Sequence, residues 1–215
     1  MKVLLLHAFP LDERMWEPQR AALAEHDVTA LRLYGRGQTM DAWAGSVAGE
    51  TEGELTIVGA SMGGYCALAL AARAPERLRG LLLFGSRPDA DSDERRAGRA
   101  DTIELIQNEG PEGLWRSMVP KLFADESHAD ESLLYREPDG LVGAVEAIRD
   151  RNDSTGIARA FPRPLQFVVG EQDPFVSAHE LVDFEVHEVP GAAHLVNLDR
   201  PDEFNRILRE FLERV

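Results

Sequence analysis

Six short apolar runs, separated by stretches of helical periodicity, restrict this chain more than any other feature. The runs are Val3–Leu6, Val28–Leu33, Leu55–Val58, Leu81–Phe84, Leu165–Val169 and Phe184–Val189. Several are nearly continuous in Leu, Val and Ile, the pattern of strands covered on both faces. Helical patterns lie near Trp16–Glu25, Gly64–Ala74, Ala178–Val182 and Asp202–Arg214. In the last, Phe204, Ile207, Leu208, Phe211 and Leu212 recur at three- and four-residue spacing behind Pro201. Strand–helix alternation predicts an α/β fold, a mostly parallel sheet of about six strands flanked by helices.

The alternation stops between Pro88 and Thr155. That stretch is charged and helical in pattern, interrupted by Gly110-Pro111, Pro120, Pro138 and Gly140, with no strand-like run. It reads as a helical cap or lid, residues 88–155, inserted into a core made of residues 1–87 and 156–215. At 215 residues the chain has the length of one domain with a full hydrophobic core.

Charge narrows the partners. The net charge is −15, from 38 acids against 23 bases. Such a surface repels phosphate backbones and anionic lipid heads, so neither nucleic acid nor a membrane is an expected partner. No apolar run reaches the roughly 18 residues of a spanning helix, and no secretory leader is evident at Met1–Leu6. A single cysteine, Cys66, agrees with a cytoplasmic location. No paired cysteines, His-x-x-x-His or acidic cluster suggests a metal, and Gly35-Arg36-Gly37 is too short for a dinucleotide fingerprint. Neither a metal nor a cofactor is expected.

The chemistry centres on Gly59-Ala60-Ser61-Met62-Gly63, between the strand Leu55–Val58 and an Ala-rich helix. Gly-x-Ser-x-Gly at a strand-to-helix turn is the pattern of a nucleophile elbow. The glycines leave room for a sharp turn that holds the serine hydroxyl exposed at a helix N-terminus. The plainer alternative is a serine that merely caps the helix.

With these features the sequence resembles the serine hydrolases of the α/β-hydrolase fold, over nearly its whole length outside Pro88–Thr155. Leu5-Leu6-His7-Ala8-Phe9-Pro10 is similar to the family's His-Gly-x-Pro loop, with Ala8 in place of the usual glycine. The resemblance implies an oxyanion hole made by the backbone N–H groups of Phe9 and Met62, with His7 a structural hydrogen-bonder. Leu33-Tyr34-Gly35-Arg36-Gly37 resembles an Asp-x-x-Gly-x-Gly loop in which Arg32 replaces the acid, and it is assigned no chemistry. Gly170-Glu171-Gln172-Asp173 and Gly191-Ala192-Ala193-His194 resemble the Gly-x-x-Asp and Gly-x-x-His elements. They imply Asp173 as acid and His194 as base, in the order Ser61, Asp173, His194. Loops at the carboxyl ends of parallel strands meet at one sheet edge, so residues this far apart in sequence can converge.

Competing assignments are Asp89 and Asp91 for the acid, which also follow a strand. His26, His128, His179 and His187 lack the loop context and are expected at the surface. Relatives begin with two antiparallel strands, whereas here residue 2 already opens the Leu-Leu-His strand. The resemblance therefore implies a core lacking the first two strands, with an edge that a second subunit could pair in a homo-oligomer.

The expected activity is hydrolysis of small to medium carboxylic esters or lactones through an acyl-enzyme. Met15-Trp16-Glu17-Pro18 is similar to segments in enol-lactonase-like and biotin-pathway-esterase-like members. The alternatives are carbon–carbon-bond or thioester hydrolysis on the same triad, or a non-catalytic ligand-binding member of the fold. In the insertion, Leu114, Trp115, Met118, Leu122, Phe123 and Leu133 are placed to line an apolar acyl pocket, Trp115, Met118, Leu122 and Phe123 foremost, or to pack a lid on the core.

Overall fold

The computed structural model describes residues Met1–Val215. Its strands are β1 (Lys2–Leu6), β2 (Asp27–Leu31), β3 (Leu55–Ala60), β4 (Leu78–Phe84), β5 (Leu165–Gly170) and β6 (Glu185–Val189). They form one sheet in the order β2-β1-β3-β4-β5-β6, and every neighbouring pair is parallel. The register aligns Leu6 with Gly59, Ala60 with Phe84, and Gly170 with Val189, so the loops after these strands leave along one edge.

Both faces of the four central strands, β1, β3, β4 and β5, are buried. Leu4, Leu6, Ile57, Leu83, Phe167 and Val169 point into one core layer. It is closed by α1 (Met40–Glu50), α2 (Met62–Arg73) and α4 (Pro138–Arg149). Val3, Leu5, Val58, Leu82, Phe84 and Val168 point into the other, closed mainly by α7 (Pro201–Leu212), which contributes Phe204, Ile207, Leu208, Phe211 and Leu212. Alternate residues thus serve opposite layers, which is why the strands read as continuous apolar runs.

Two local expectations are corrected. Trp16–Glu25 is not an α-helix but two short 3₁₀ turns, Glu13–Gln19 and Ala21–Leu23; Pro18 removes a backbone donor within it. Ala178–Val182 is likewise a 3₁₀ turn, Ala178–Leu181. The run at Val28–Leu33 becomes β2, which is exposed along most of its length because it is an edge of the sheet. Helix α1 escaped the sequence reading, although Thr39 caps it and Met40, Trp43, Ala44 and Val47 form its buried stripe.

Between β4 and β5 the chain is helical: α3 (Asp93–Leu122), α4 and α5 (Thr155–Ala160). Helix α3 is broken at Gly110, whose φ of 69° is followed by Pro111 starting the second half. The segment is bound into the core, with Ile106, Leu114, Leu141 and Val145 in one layer and Trp115, Val119, Leu122 and Phe123 in the other. After β6 come the single turn α6 (Val196–Asp199) and α7. No helix is long and apolar enough to cross a membrane.

Candidate active site

Ser61 sits at the turn between β3 and α2 with φ 48° and ψ −108°, the one non-glycine residue at positive φ. Its N–H donates to the Phe84 carbonyl at 2.7 Å, which locks the turn to the end of β4. The flanking glycines are required by close approach. A Cβ on Gly63 would lie 2.1 Å from the Leu6 carbonyl oxygen, and one on Gly59 would lie 2.8 Å from the Gly64 backbone. Ser61 makes no side-chain cap to α2, so the capping alternative has no hydrogen bond to stand on.

Asp173 follows β5 and His194 follows β6. The His194 Nδ1–H donates to Asp173 Oδ2 at 2.8 Å, and both side chains are buried, 5% and 0% exposed. The other carboxylate oxygen of Asp173 accepts the N–H groups of Phe175 at 2.8 Å and Val176 at 3.3 Å. With its acceptors occupied on both sides, the carboxylate has a fixed orientation. The imidazole lies against Gly85, where a Cβ would come within 2.8 Å of Cε1. It also meets the Phe175 ring edge-on at 4.8 Å. Gly85 directly follows Phe84, the residue that anchors Ser61, so the end of β4 and the residue after it touch both Ser61 and His194. The hydrogen bonds of the His194 ring include Asp173 and not the Ser61 hydroxyl.

The loop after β1 runs alongside. The N–H of Ala8 donates to the Met15 thioether at 3.2 Å, whereas that of Phe9 donates to no backbone acceptor. His7 is fully buried. Its Nε2 accepts the Leu33 N–H at 2.9 Å, which leaves the proton on Nδ1, facing the Ala8 carbonyl at 3.1 Å. Burial lowers its pKa to about 4. His7 is therefore a neutral strut between β1 and β2, with neither nitrogen free for proton transfer.

The competing acids are engaged elsewhere. Asp91 is held by Arg151 at 2.6 Å and Arg99 at 3.0 Å, with the Arg151 guanidinium stacked 4.1 Å from the Tyr65 ring centre. Asp89 pairs with Arg87 and Arg95. Burial alone would raise its pKa, but the two guanidiniums outweigh this and hold it below the usual carboxylate range. Cys66 is buried, and burial pushes its thiol up to about 12, so it is inert. No group of three His, Cys, Asp or Glu side chains is placed to hold a metal ion.

Of the residues expected along an acyl pocket, Trp115 and Phe123 are buried and meet edge-to-face at 6.3 Å. Met118 is half-buried and touches both core layers, and Leu122 is fully buried. What sequence reasoning missed is how the insertion grips the site loops. The Tyr135 N–H donates to the Pro10 carbonyl at 3.0 Å and the Asp12 N–H to the Leu133 carbonyl at 3.1 Å. Tyr135 also stacks on Tyr34 at 3.9 Å. At the other end, the Leu195 N–H donates to the Leu122 carbonyl at 3.0 Å. Asp199 accepts the N–H groups of Ala124 at 2.9 Å and Ala193 at 2.8 Å.

An all-parallel, doubly covered sheet with these loops at one edge defines an α/β enzyme core. Within that class the chain belongs to the alpha/beta hydrolase family, whose model matches residues 3–207. A thermophilic esterase from Thermogutta terrifontis superposes with a TM-score of 0.86 at 30% identity, covering 99% of this chain and 89% of that one. The enol-lactonase from Burkholderia xenovorans LB400 superposes with a TM-score of 0.85 at 24% identity, covering 99% and 91%. Among curated proteins, the pimeloyl-[acyl-carrier protein] methyl ester esterase of Yersinia pseudotuberculosis is 26% identical over 240 residues, 98% of this chain and 93% of its own length.

Proposed function

We propose that this hydrolase cleaves carboxylic esters or lactones of small to medium size, with Ser61 as nucleophile, His194 as general base and acid, and Asp173 as the carboxylate that orients it. His194 Nδ1–H is committed to Asp173, so Nε2 presents a lone pair that takes the Ser61 proton as the hydroxyl attacks the carbonyl. In this reading the Ser61 hydroxyl and Nε2 come into hydrogen-bond contact in the substrate complex, where catalytic pairs commonly tighten. The tetrahedral oxyanion is received by the N–H groups of Phe9, which has no backbone acceptor, and of Met62. His194 then protonates the leaving alkoxide, and water deacylates Ser61 by the same route in reverse.

The observation that carries this reading is the backbone of Ser61. A serine at φ 48° costs about 1–3 kcal/mol, and the hydroxyl gains no capping bond in return. Ester chemistry is supported by the esterase likeness at 30% identity. In this reading residues 88–155 are the cap over Ser61, and Trp115, Met118 and Phe123 form the apolar wall for the acyl chain, with Leu122 packed behind them.

The test is hydrolysis of p-nitrophenyl esters from acetate to octanoate by the wild type and Ser61→Ala, with fluorophosphonate labelling followed by mass spectrometry. Turnover that vanishes in Ser61→Ala, with the label on Ser61, is the expected result. Full activity in Ser61→Ala, or a label on another residue, overturns it.

A further inference from the structure

Asp199 lies outside the triad, yet its fully buried carboxylate collects three donors from three segments. Oδ2 accepts the Ala193 N–H at 2.8 Å and the Ala124 N–H at 2.9 Å, and Oδ1 faces His128 Nδ1 at 3.0 Å. Ala193 immediately precedes His194. Ala124 lies just beyond α3, the helix that carries Trp115 and Met118. His128 lies in the next turn of the insertion, at the surface. On the other side of His194, the Leu195 N–H donates to the Leu122 carbonyl. The backbone on both sides of His194 is therefore fastened to the end of α3, once directly and once through Asp199.

A carboxylate is suited to this place. It offers lone pairs to two amide donors and an imidazole at once, and bonds to an ionised acceptor are shorter and stronger than neutral ones. Each amide would otherwise have no partner in a closed loop. The His194–Asp173 bond needs the ring within a few tenths of an ångström of its place, and the ring inherits that place from the backbone at 193–195.

We propose that Asp199 is a positioning residue for His194: it fixes the Ala193–Leu195 backbone to the end of α3, so that the imidazole stands between Asp173 and Ser61. This rests on the triad reading. Asp199 touches no reacting atom; it acts through the N–H of Ala193.

The test compares wild type, Asp199→Ala and Asp199→Asn on p-nitrophenyl acetate, with Ser61→Ala and His194→Ala as controls. Asn keeps an oxygen for the two amides and turns an N–H toward His128, whose Nδ1 then accepts. Asp199→Ala is expected to lower kcat about 10- to 100-fold, the scale of an ångström-sized misplacement, with KM little changed. Its downfield proton resonance from the His194–Asp173 hydrogen bond is expected to broaden or vanish. Asp199→Asn is expected to restore both. A folded Asp199→Ala with wild-type kcat, or with lowered kcat and an intact downfield resonance, overturns the proposal. If Asp199→Ala does not fold, Asp199→Glu, which keeps the charge but displaces the oxygens, takes its place under the same criteria. The controls separate the two levels. Activity surviving in Ser61→Ala or His194→Ala sinks the triad reading itself, whereas loss in both controls with none in the Asp199 variants sinks only the positioning role.

Discussion

Asp173 and His194 are joined by a 2.8 Å hydrogen bond whose acceptor is turned by two backbone amides, those of Phe175 and Val176. The amides fix which way round the carboxylate sits, and this makes its replacement predictable. In Asp173→Asn, the amide oxygen stays with Phe175 and Val176, and the NH₂ faces His194 Nδ1. The imidazole must then carry its proton on Nε2, where it cannot accept one from Ser61. We expect kcat to fall about 10³- to 10⁴-fold with little change in KM, checked by steady-state kinetics on a short p-nitrophenyl ester.

The proposed role of Ser61 as nucleophile comes with a backbone conformation that costs stability. Glycine adopts φ 48° without the Cβ clash that serine bears. Ser61→Gly should therefore abolish hydrolysis while raising stability by about 1 kcal/mol. For a chain of this size that is a rise in melting temperature of about 2–4 °C. Calorimetry of the two proteins is the measurement, and a melting point below wild type would contradict the strain argument.

Asp91 provides a contrast among acids that follow a strand. Its carboxylate is fully buried between Arg151 and Arg99. Asp91→Asn leaves the Arg151 charge uncompensated and should cost about 3–5 kcal/mol. Because Asp91 does not touch His194, kcat of the remaining folded protein should stay at the wild-type level. Urea unfolding alongside kinetics distinguishes this from a catalytic acid, whose loss would lower kcat first.

His7 gives the fold an acid-sensitive strut. Burial lowers its pKa from 6.5 to about 4, so the unfolded chain binds its proton before the folded one does. Its contribution is fully present above pH 6.5 and is lost as pH falls toward 4, amounting to about 2 kcal/mol of lost stability at pH 5. Unfolding free energies at pH 7, 6 and 5 should show this decline. His7→Gln, which cannot titrate, should start less stable and decline less.

The parts of the molecule that were legible in the sequence are those set by local rules. The strands announce themselves because both faces are buried, and Gly59 and Gly63 because backbone from β1 and α2 leaves no space for a side chain. The loops with Asp173 and His194 follow their strands at the spacing that the family resemblance supplies. Helix α1 carries a local signal of the same kind, the cap at Thr39 and the buried stripe Met40, Trp43, Ala44 and Val47. The grip of the insertion on the site is of another kind. Asp199 meets Ala124 and His128 only because α3 ends beside the segment that follows β6, and Tyr135 meets Tyr34 only because the insertion returns across the β1 loop. No local pattern marks such pairs.

The order of the strands also sets a timetable. Everything that bends Ser61 into place, namely β1, β3, β4 and the start of α2, lies within residues 2–84. Asp173 and His194 sit beyond β5 and β6; β5 pairs onto β4 and β6 onto β5, and both must wait for the whole helical insertion to be made. Chains emerging from a ribosome fold their N-terminal parts first. The strained turn of Ser61 can thus form early, whereas the proposed triad is complete only after the loops beyond β5 and β6 have been synthesised.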